Sequence, residues 1–248
     1  LATKDNKIYK LTGTEFTEIK EGGTYTVNLK LGEKEYPITY TIGKNGQPSV
    51  SSIKLDGVDR PLSSQELDII KNYAAKGYVP SLDNSGYISI TKTATKIIGK
   101  SDSESYKEIK TTDKSLISPN GVLTAVTTTE TTGKGGVLLA YKEEEHTMAG
   151  TKDHPNGWAS VKNFVIVDGK KTQDYTQSVV DQTTGEPISY FVKSGTDEYV
   201  IDYNKGGSIT VNGKPLTDAE IAKLDPQLRK QIEDKKSDHS QWSSRQFF

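Results

Sequence analysis

His146 and His154 lie near clustered carboxylates and are the side chains best suited to bind a metal ion. The run Glu143–Glu145 immediately precedes His146, and Asp153 immediately precedes His154. Imidazole and carboxylate groups together are common ligands of Zn²⁺ and other divalent cations. The spacing of the two histidines, however, matches no helical His-x-x-x-His arrangement, and the Gly, Pro and Asn around them are typical of a solvated loop. We therefore predict that the protein has no metal site and needs no cofactor.

Hydrolytic and phosphate-binding chemistry finds little support in the residue spacing. A Gly-x-Ser-x-Gly elbow, which would present a nucleophilic serine, does not occur in the sequence. The 33 acidic residues include no two that are marked as a glycosidase pair. The segment Gly133–Gly136 does not fit the phosphate-loop pattern and lies between Thr- and Val-rich runs, so we expect a hairpin turn there. The protein is predicted not to be an enzyme, and a hydrolase is the third of three functions considered.

Four aromatic residues are the candidates for a contact surface. Trp158 follows the histidine-containing loop, and Trp242, Phe247 and Phe248 lie in a polar C-terminal tail. Loops often carry binding residues, and aromatic side chains anchor many interfaces. Each ring of a free tail would expose roughly 150–250 Å² of surface to water. We therefore expect the tail to insert its rings into a groove, most simply on a neighbouring subunit. A frayed tail and a tail folded back on its own module are the alternatives.

Charge and composition exclude one class of partner and indicate a cellular location. The 32 basic and 33 acidic residues leave a net charge of −1, so no excess of Lys and Arg attracts nucleic acid. No window of about 18 apolar residues occurs, which predicts that there is no membrane-spanning segment. The absence of cysteine excludes disulfides and thiolate sites. We interpret this absence as a sign of an extracellular or cell-surface bacterial protein, with the periplasm as the alternative.

Alternating polar and apolar residues predict that most of the chain is β-structure. In 24–31 the odd-numbered positions are apolar and in 36–42 the even-numbered ones are, so these segments form an antiparallel hairpin. From Tyr87 to about Val200, Thr-rich runs alternate with Gly-containing turns at intervals of about ten residues. The predicted fold is mainly β, with antiparallel sheets in a sandwich or meander and two or three short helices, which is a β-dominated α+β class.

Capping patterns predict where the helices begin. Residues 63–66 and 217–220 have the Ser/Thr-x-x-Glu spacing in which the two side chains cap each other's backbone amides. A helix is expected after each of these segments. A further turn or two of helix is expected over 226–232, because the proline at its start suits the first position of a helix. The polar tail from Ser237 onward is predicted to follow that helix.

Three blocks of the sequence recur in the same order and indicate an internal duplication. The pattern Gly-x-x-Glu-Tyr-x-Ile-x-Tyr occupies 32–40 and 195–203. Ser-Ile-x-Leu/Val-Asx-Gly follows at 52–57 and 208–213, and Pro-Leu-Ser/Thr-x-x-Glu-Leu/Ile at 61–67 and 215–221. One such block arises easily by chance, but three in order favour two related modules, each containing a hairpin strand, an Asx-Gly turn and a capped helix.

The repeat divides the chain into three predicted regions. These are a hairpin and capped-helix module over 1–80, a β-rich central region over 81–184, and a second copy of the module with the aromatic tail over 185–248. This organisation favours a non-catalytic structural or adhesion-type subunit of an extracellular or surface assembly, such as a filament, an appendage or a virion. Self-association or binding to other subunits is then expected. The alternative is a periplasmic or extracellular binding module that holds a glycan, a peptide or a lipid against Tyr and Trp side chains.

Overall fold

The computed structural model describes residues 1–148, 152 and 155–242, and it describes side chains as far as residue 236. Strands make up 58% of the chain and helices 14%. The sheets are antiparallel, and three α-helices lie within the described residues. The predicted mainly β fold class is therefore confirmed.

The strands and helices are numbered in chain order. The strands are β1 (Ala2–Lys4), β2 (Lys7–Thr12), β3 (Glu15–Glu18), β4 (Thr24–Leu31), β5 (Lys34–Ile42), β6 (Pro48–Leu55), β7 (Val58–Pro61), β8 (Val79–Leu82), β9 (Ile88–Ile98), β10 (Lys107–Ser118), β11 (Gly121–Gly133), β12 (Leu138–Thr147), β13 (Trp158–Val167), β14 (Lys170–Asp181), β15 (Pro187–Ser194), β16 (Asp197–Asp202), β17 (Ser208–Val211) and β18 (Lys214–Pro215). The helices are α1 (Ser64–Ala74), α2 (Asp218–Ile221) and α3 (Pro226–Trp242), with 3₁₀ turns at Lys134–Gly136 and Tyr203–Lys205.

Within each sheet, strands that follow one another in the chain are neighbours, which is the order of a meander. One sheet contains β1 to β3, a second contains β4 to β7, and a third contains β8 to β18. The 3₁₀ turn at Lys134–Gly136 joins the antiparallel strands β11 and β12, as expected for a hairpin turn. The chain divides into two compact units, 1–92 with 114–123 and 93–113 with 124–248. The division into three regions stays a prediction.

Aliphatic side chains from the four-stranded sheet and from α1 form most of the core of the first unit. Ile38 and Ile53 of the sheet are completely buried, together with Ile70 of the helix. Leu67, Ile70 and Ala74 are the apolar residues that α1 buries. Their spacing of three and four residues places them on one stripe of the helix, so α1 packs through a single face.

The core of the second unit lies between one face of the sheet and the C-terminal helices. Tyr190 and Ile201 are buried and lie directly opposite each other on β15 and β16. Ile221 of α2 and Ile232 of α3 pack in the same cluster, and Ile232 is completely buried. The Tyr203 hydroxyl also donates a hydrogen bond to a backbone carbonyl of α3 at 3.0 Å. Both helices therefore cover the face that carries Tyr190.

The two copies of the sequence repeat have corresponding strand pairings. In the first copy Ile38 pairs with Val27 on one side and with Ile53 on the other. In the second copy Ile201 pairs with Tyr190 and with Ile209, which occupy the corresponding positions. The Asx-Gly turns also agree in backbone geometry. Asp56 and Asn212 have φ of 50° and 49°, and Gly57 and Gly213 have φ of 83° and 80°. Two successive positive φ values are those of a type I′ hairpin turn.

The second copy is shorter after this turn. β7 has four residues, whereas β18 has two. The amide of Leu62 donates to the Ser51 carbonyl, but the amide of Leu216 donates to the Ile209 carbonyl, each at 2.9 Å. Ile209 corresponds to Ile53, so the bond in the second copy has moved two residues toward the turn. This shift compensates for the missing residues and brings the chain to the helix start in both copies.

Both predicted helix starts are confirmed, and each has a complete capping box. In α1 the Glu66 amide donates to Ser63 Oγ at 3.1 Å, and the Ser63 amide donates to Glu66 Oε2 at 2.9 Å. Thr217 and Glu220 make the same reciprocal bonds at α2. The copies differ in burial, because Glu66 is only 1% exposed whereas Glu220 is exposed.

The third helix is longer than the sequence analysis predicted. Instead of one or two turns ending near Ile232, α3 has 17 residues and continues to Trp242. The backbone of 237–242, expected to follow the helix, is therefore part of it. The helix continues because 233–242 contains no Gly or Pro to stop it, and the segment includes a Glu, two Lys and a Gln that favour a helix.

Candidate functional site

Trp158 is the first residue of β13, and its backbone is held between two neighbouring strands. It pairs with Thr147 of β12 and with Asp181 of β14. Gly157 precedes it with φ of +75°, and a Cβ at that position would collide with the Thr147 carbonyl oxygen. Only glycine combines this left-handed backbone with so close an approach. Gly157 therefore determines how the chain enters β13 and where Trp158 lies.

Gln182 ties the same region together from the end of β14. Its backbone amide donates to the Gly157 carbonyl at 3.4 Å. With the side-chain amide oriented so that both of its ends are satisfied, Nε2 donates to the carbonyl oxygens of Thr147 and Trp158 at 3.1 and 3.2 Å. These bonds fix the backbone on both sides of Trp158, so its ring projects from a well-supported position.

Direct strand pairing defines which side chains share the sheet surface with Trp158, here called the Trp158 face. Directly paired residues, and residues two apart on one strand, project to the same side. The first row pairs Trp158 of β13 with Asp181 of β14. The next three rows run across β13, β14, β15 and β16 in that order. They are Ser160, Val179, Ser189 and Asp202; Lys162, Gln177, Phe191 and Val200; and Phe164, Tyr175, Lys193 and Glu198. Tyr190 and Ile201, which α2 and α3 cover, lie on the opposite side.

A cavity of about 280 Å³ opens on this face beside Trp158. Its lining, which defines the Trp158 cavity, consists of Trp158, Gln177, Val179, Ile188, Ser189 and Phe191. Two aromatic and two aliphatic side chains surround two polar groups that can hydrogen-bond. Sites for whole small molecules measure roughly 300–1,000 Å³, so this cavity fits a single side chain or ring of a larger ligand.

A second cavity, of about 650 Å³, adjoins the first and is acidic. The lining of this acidic cavity consists of Asp181, Glu186, Pro187, Ile188, Asp202, Asn204 and Lys205. Ile188 belongs to both cavities. Among the described residues that line it, three carboxylates and one ammonium leave two excess negative charges. An apolar recess and a negatively charged one thus lie side by side in the second unit.

The carboxylate of Asp181 stays charged because the turn that follows β14 surrounds it with amide donors. The backbone amides of Thr184 and Thr183 donate to Oδ1 at 2.8 and 2.9 Å. These hydrogen bonds hold the pKa of Asp181 below its usual range, against the smaller opposite effect of burial. Asp202 has a lysine partner, because Lys205 Nζ lies 3.3 Å from Asp202 Oδ2. The Lys205 side chain is 77% exposed.

An aromatic row crosses the Trp158 face farther along β13. The ring of Phe164 lies between those of Tyr141 and Tyr175, with centroid distances of 5.4 and 5.9 Å. Lys171 Nζ lies 4.1 Å from the Tyr141 ring centroid, and Lys162 Nζ lies 4.3 Å from that of Tyr175. Cation–π contacts of this kind stabilise exposed aromatic surfaces. We interpret this row as cross-strand support for the sheet, because its rings are already occupied by each other and by lysines.

Tyr175 is also linked to the next strands of the sheet. Its hydroxyl donates to Glu198 Oε2 at 2.6 Å. Burial and this hydrogen bond to a carboxylate raise the pKa of Tyr175 to about 12. The bond spans from β14 to β16 and connects the aromatic row to the strands that carry the core of the second unit.

The structure places one of the four predicted contact residues in a cavity. Trp158 lines the cavity described above, Trp242 is the last residue of α3, and Phe247 and Phe248 lie outside the described residues. His146 is exposed on β12, and His154 lies outside the described residues. Among the described side chains, those of 1–148, 152 and 155–236, no group of three or more His, Asp or Glu residues comes together. The absence of a metal site stays a prediction.

Sequence reasoning missed the partners of Trp158. Phe191 lies between Tyr190 and Val192, Val179 lies beside Val180, and Gln177 carries no motif, so nothing distinguishes these residues in the sequence. Their meeting depends on the register of three strands, including the irregularity between Val179 and Val180 where β14 pairs with β15. A strand alignment could have found them, because Gln177 directly faces Phe191 once the register is known.

Comparison with known proteins gives no relative, since no family model, no curated protein and no solved structure matches the chain. In the described part of the chain, no helix is long and apolar enough to cross a membrane.

Proposed function

We propose that this protein is a non-catalytic binding protein of the adhesion type, located outside the cell or on its surface, that engages its partner through the Trp158 cavity. The observation that carries the proposal is the convergence of Trp158 and Phe191 on one recess with Gln177 and Ser189. Aromatic walls with a few polar groups are typical of recognition sites. The absence of cysteine supports the extracellular location, because free thiols are liable to oxidation there.

The position of the cavity suits binding of a large partner. Its residues come from three adjacent strands, β13, β14 and β15, whose backbones are fixed by the sheet ladder. A site on rigid strands loses little conformational entropy on binding. A cavity for one side chain, surrounded by half-buried residues of the sheet, is the arrangement in which an aromatic anchor and a wider contact surface act together.

A structural subunit of a surface assembly is the second candidate function, and the opposite side of β13 favours it. Val161, Val165 and Val167 are 36%, 43% and 51% exposed there. Valines in such a row are typical of a sheet that packs against another surface. Sedimentation of the protein beside a Val165→Lys variant tests this candidate, because an assembly through these valines is lost in the variant.

Binding through Trp158 is tested with a variant series and three classes of probe. The probes are a chitin hexasaccharide, short synthetic peptides and phosphatidylcholine vesicles, each measured by biolayer interferometry on immobilised protein. We expect saturable binding of at least one class and a loss of at least about tenfold in Trp158→Ala, the size expected of an interface anchor. Tyr25→Ala is the matched control, because Tyr25 stacks on Tyr40 in the first unit at 5.4 Å and lies outside the site. Equal binding by Trp158→Ala and the unmodified protein contradicts the proposal.

A further inference from the structure

We propose that the ligand of this site is an extended peptide segment in which an apolar side chain lies two residues from a lysine or arginine. The inference rests on the proposed function and specifies its ligand. The apolar side chain occupies the Trp158 cavity, and the basic side chain lies in the acidic cavity. The basis is the adjacency of the two recesses, which share Ile188 and differ in chemistry.

The geometry of an extended chain matches this pair of recesses. Side chains at positions i and i+2 project to the same side of a strand. They lie about 6.8 Å apart, twice the rise per residue. Within the site, Asp181 is directly paired with Trp158, and Asp202 lies in the row that contains Val179 and Ser189. Two side chains of one segment can therefore reach both recesses at once.

Charge complementarity decides between the ligand classes. The acidic cavity carries two excess negative charges, from Asp181, Glu186 and Asp202 against Lys205. A neutral glycan supplies no positive charge to balance them, an anionic phospholipid headgroup is repelled, and phosphatidylcholine carries a negative phosphate beside its ammonium. A peptide can carry a cation and an apolar group on one short segment. Lys205 offsets only one of these carboxylates, and its side chain is 77% exposed.

The cavity volumes agree with this assignment. The Trp158 cavity, at about 280 Å³, fits one large apolar side chain. The acidic cavity, at about 650 Å³, has room for a long basic side chain with its water. Asp181 is held in place by the amides of Thr183 and Thr184, so one of the negative charges is fixed in position before the ligand binds.

The test uses the full chain with Trp242→Phe, which leaves Trp158 as the only one of the two tryptophans to report by fluorescence. The probe is the blocked peptide Ser-Phe-Ser-Arg-Ser. Matched peptides replace its Arg by the neutral isostere citrulline or by Glu, and its Phe by Ala. The chitin hexasaccharide and vesicles of phosphatidylcholine or phosphatidylglycerol complete the series.

We expect the Arg peptide to bind at least about threefold more tightly than the citrulline peptide at low salt, an advantage that 0.5 M NaCl removes. Replacing Phe by Ala should weaken binding at least about tenfold, since a buried Phe contributes more than a surface charge. The double variant Glu186→Gln, Asp202→Asn should bind the Arg and citrulline peptides with equal affinity, because the preference for Arg is lost. Both substitutions are conservative, and Asn at 202 retains the side-chain oxygen that accepts from the Asn204 amide.

Two kinds of failure are distinguishable. Equal binding of the Arg, citrulline and Glu peptides, no binding of any peptide, or stronger binding of the hexasaccharide or of vesicles overturns the peptide assignment. If any of these probes still depends on Trp158, the proposed function stands with another ligand. Binding measured by biolayer interferometry that is unchanged in Trp158→Ala contradicts the proposed function itself.

Discussion

The guanidinium of Arg60 lies 2.6 Å from the carboxylate of Glu66, and both side chains are largely buried. The same carboxylate caps α1 through the Ser63 amide. One acidic residue therefore joins the strand before the helix to the start of the helix. In the second copy of the repeat Glu220 keeps the cap but is exposed.

Replacing Glu66 should destabilise the protein far more than replacing Glu220. Glu66→Gln leaves the Arg60 charge buried without its partner, which costs about 3–5 kcal/mol of unfolding free energy. Glu220→Gln retains a weaker cap at an exposed position and should cause only a small loss. Urea unfolding followed by circular dichroism measures both variants. Equal losses would show that burial of the ion pair does not matter.

The stability of the second unit should fall in strongly alkaline solution as Tyr175 ionises. Its pKa is about 12 in the folded protein, mainly because of burial and then because of the bond to Glu198, and about 10 in an unfolded chain. A pKa raised by folding gives stability that is complete below about pH 10 and is lost as the pH rises through about 12.

Tyrosine ring signals in a ¹³C NMR titration measure this effect directly. The signal that disappears in Tyr175→Phe should titrate near pH 12 in the unmodified protein. In Glu198→Gln it should titrate at lower pH, because the charged acceptor is lost. A Tyr175 signal that titrates near pH 10 in the unmodified protein is incompatible with the bond described above.

Gly157→Ala should reduce both stability and ligand binding, whereas Gly195→Ala should reduce stability alone. Both glycines have positive φ, +75° and +60°, so each alanine costs about 1–2 kcal/mol of backbone strain. Only at Gly157 does the added Cβ meet the Thr147 carbonyl, while nothing lies within 4 Å of it at Gly195. Thermal unfolding and peptide affinity should be compared for the two variants. Equal affinities would mean that Gly157 does not position Trp158.

The C-terminal tail, Ser237 to Phe248, is predicted to act as a tether between subunits, and its backbone is part of α3 as far as Trp242. Ending the chain after Trp242 removes Phe247 and Phe248 but keeps Ile232 and the 3.0 Å bond from Tyr203 to α3. We expect oligomers to be lost while the β-sheet circular dichroism is retained. Sedimentation velocity measures the change. Unchanged assembly and stability would eliminate the tether and favour a frayed or folded-back tail.

The local structure could be predicted from the sequence because its causes are local. The capping boxes at Ser63 and Thr217 and the turns at Asp56 and Asn212 depend on side chains and φ angles a few residues apart. The strand alternation around Ile38 needed only the period of the sequence. In contrast, α3 continues to Trp242 because no Gly or Pro stops it, and the predicted end of this helix near Ile232 was too early.

The site could be predicted only at Trp158. The position of Trp158 after a loop indicated a contact residue. Phe191, however, lies two strands away from it, and the two meet only because of the registers in which β13, β14 and β15 pair. No short segment of sequence determines these registers. The acidic cavity was equally hidden, because Asp181 and Asp202 are two of 33 acidic residues and meet only in the folded sheet. Sequence spacing identifies chemistry held on one element, whereas this site is assembled across four strands.

The most direct test of the account follows the indole N–H signals of ¹⁵N-labelled protein during titration with the blocked peptide Ser-Phe-Ser-Arg-Ser. The chain has two tryptophans, and the Trp158 signal is the one lost in Trp158→Phe. We expect a saturable shift of the Trp158 signal, with a lower affinity for the citrulline peptide than for the Arg peptide. The Trp242 signal should not move. A stationary Trp158 signal throughout the titration, with or without a moving Trp242 signal, would contradict the account.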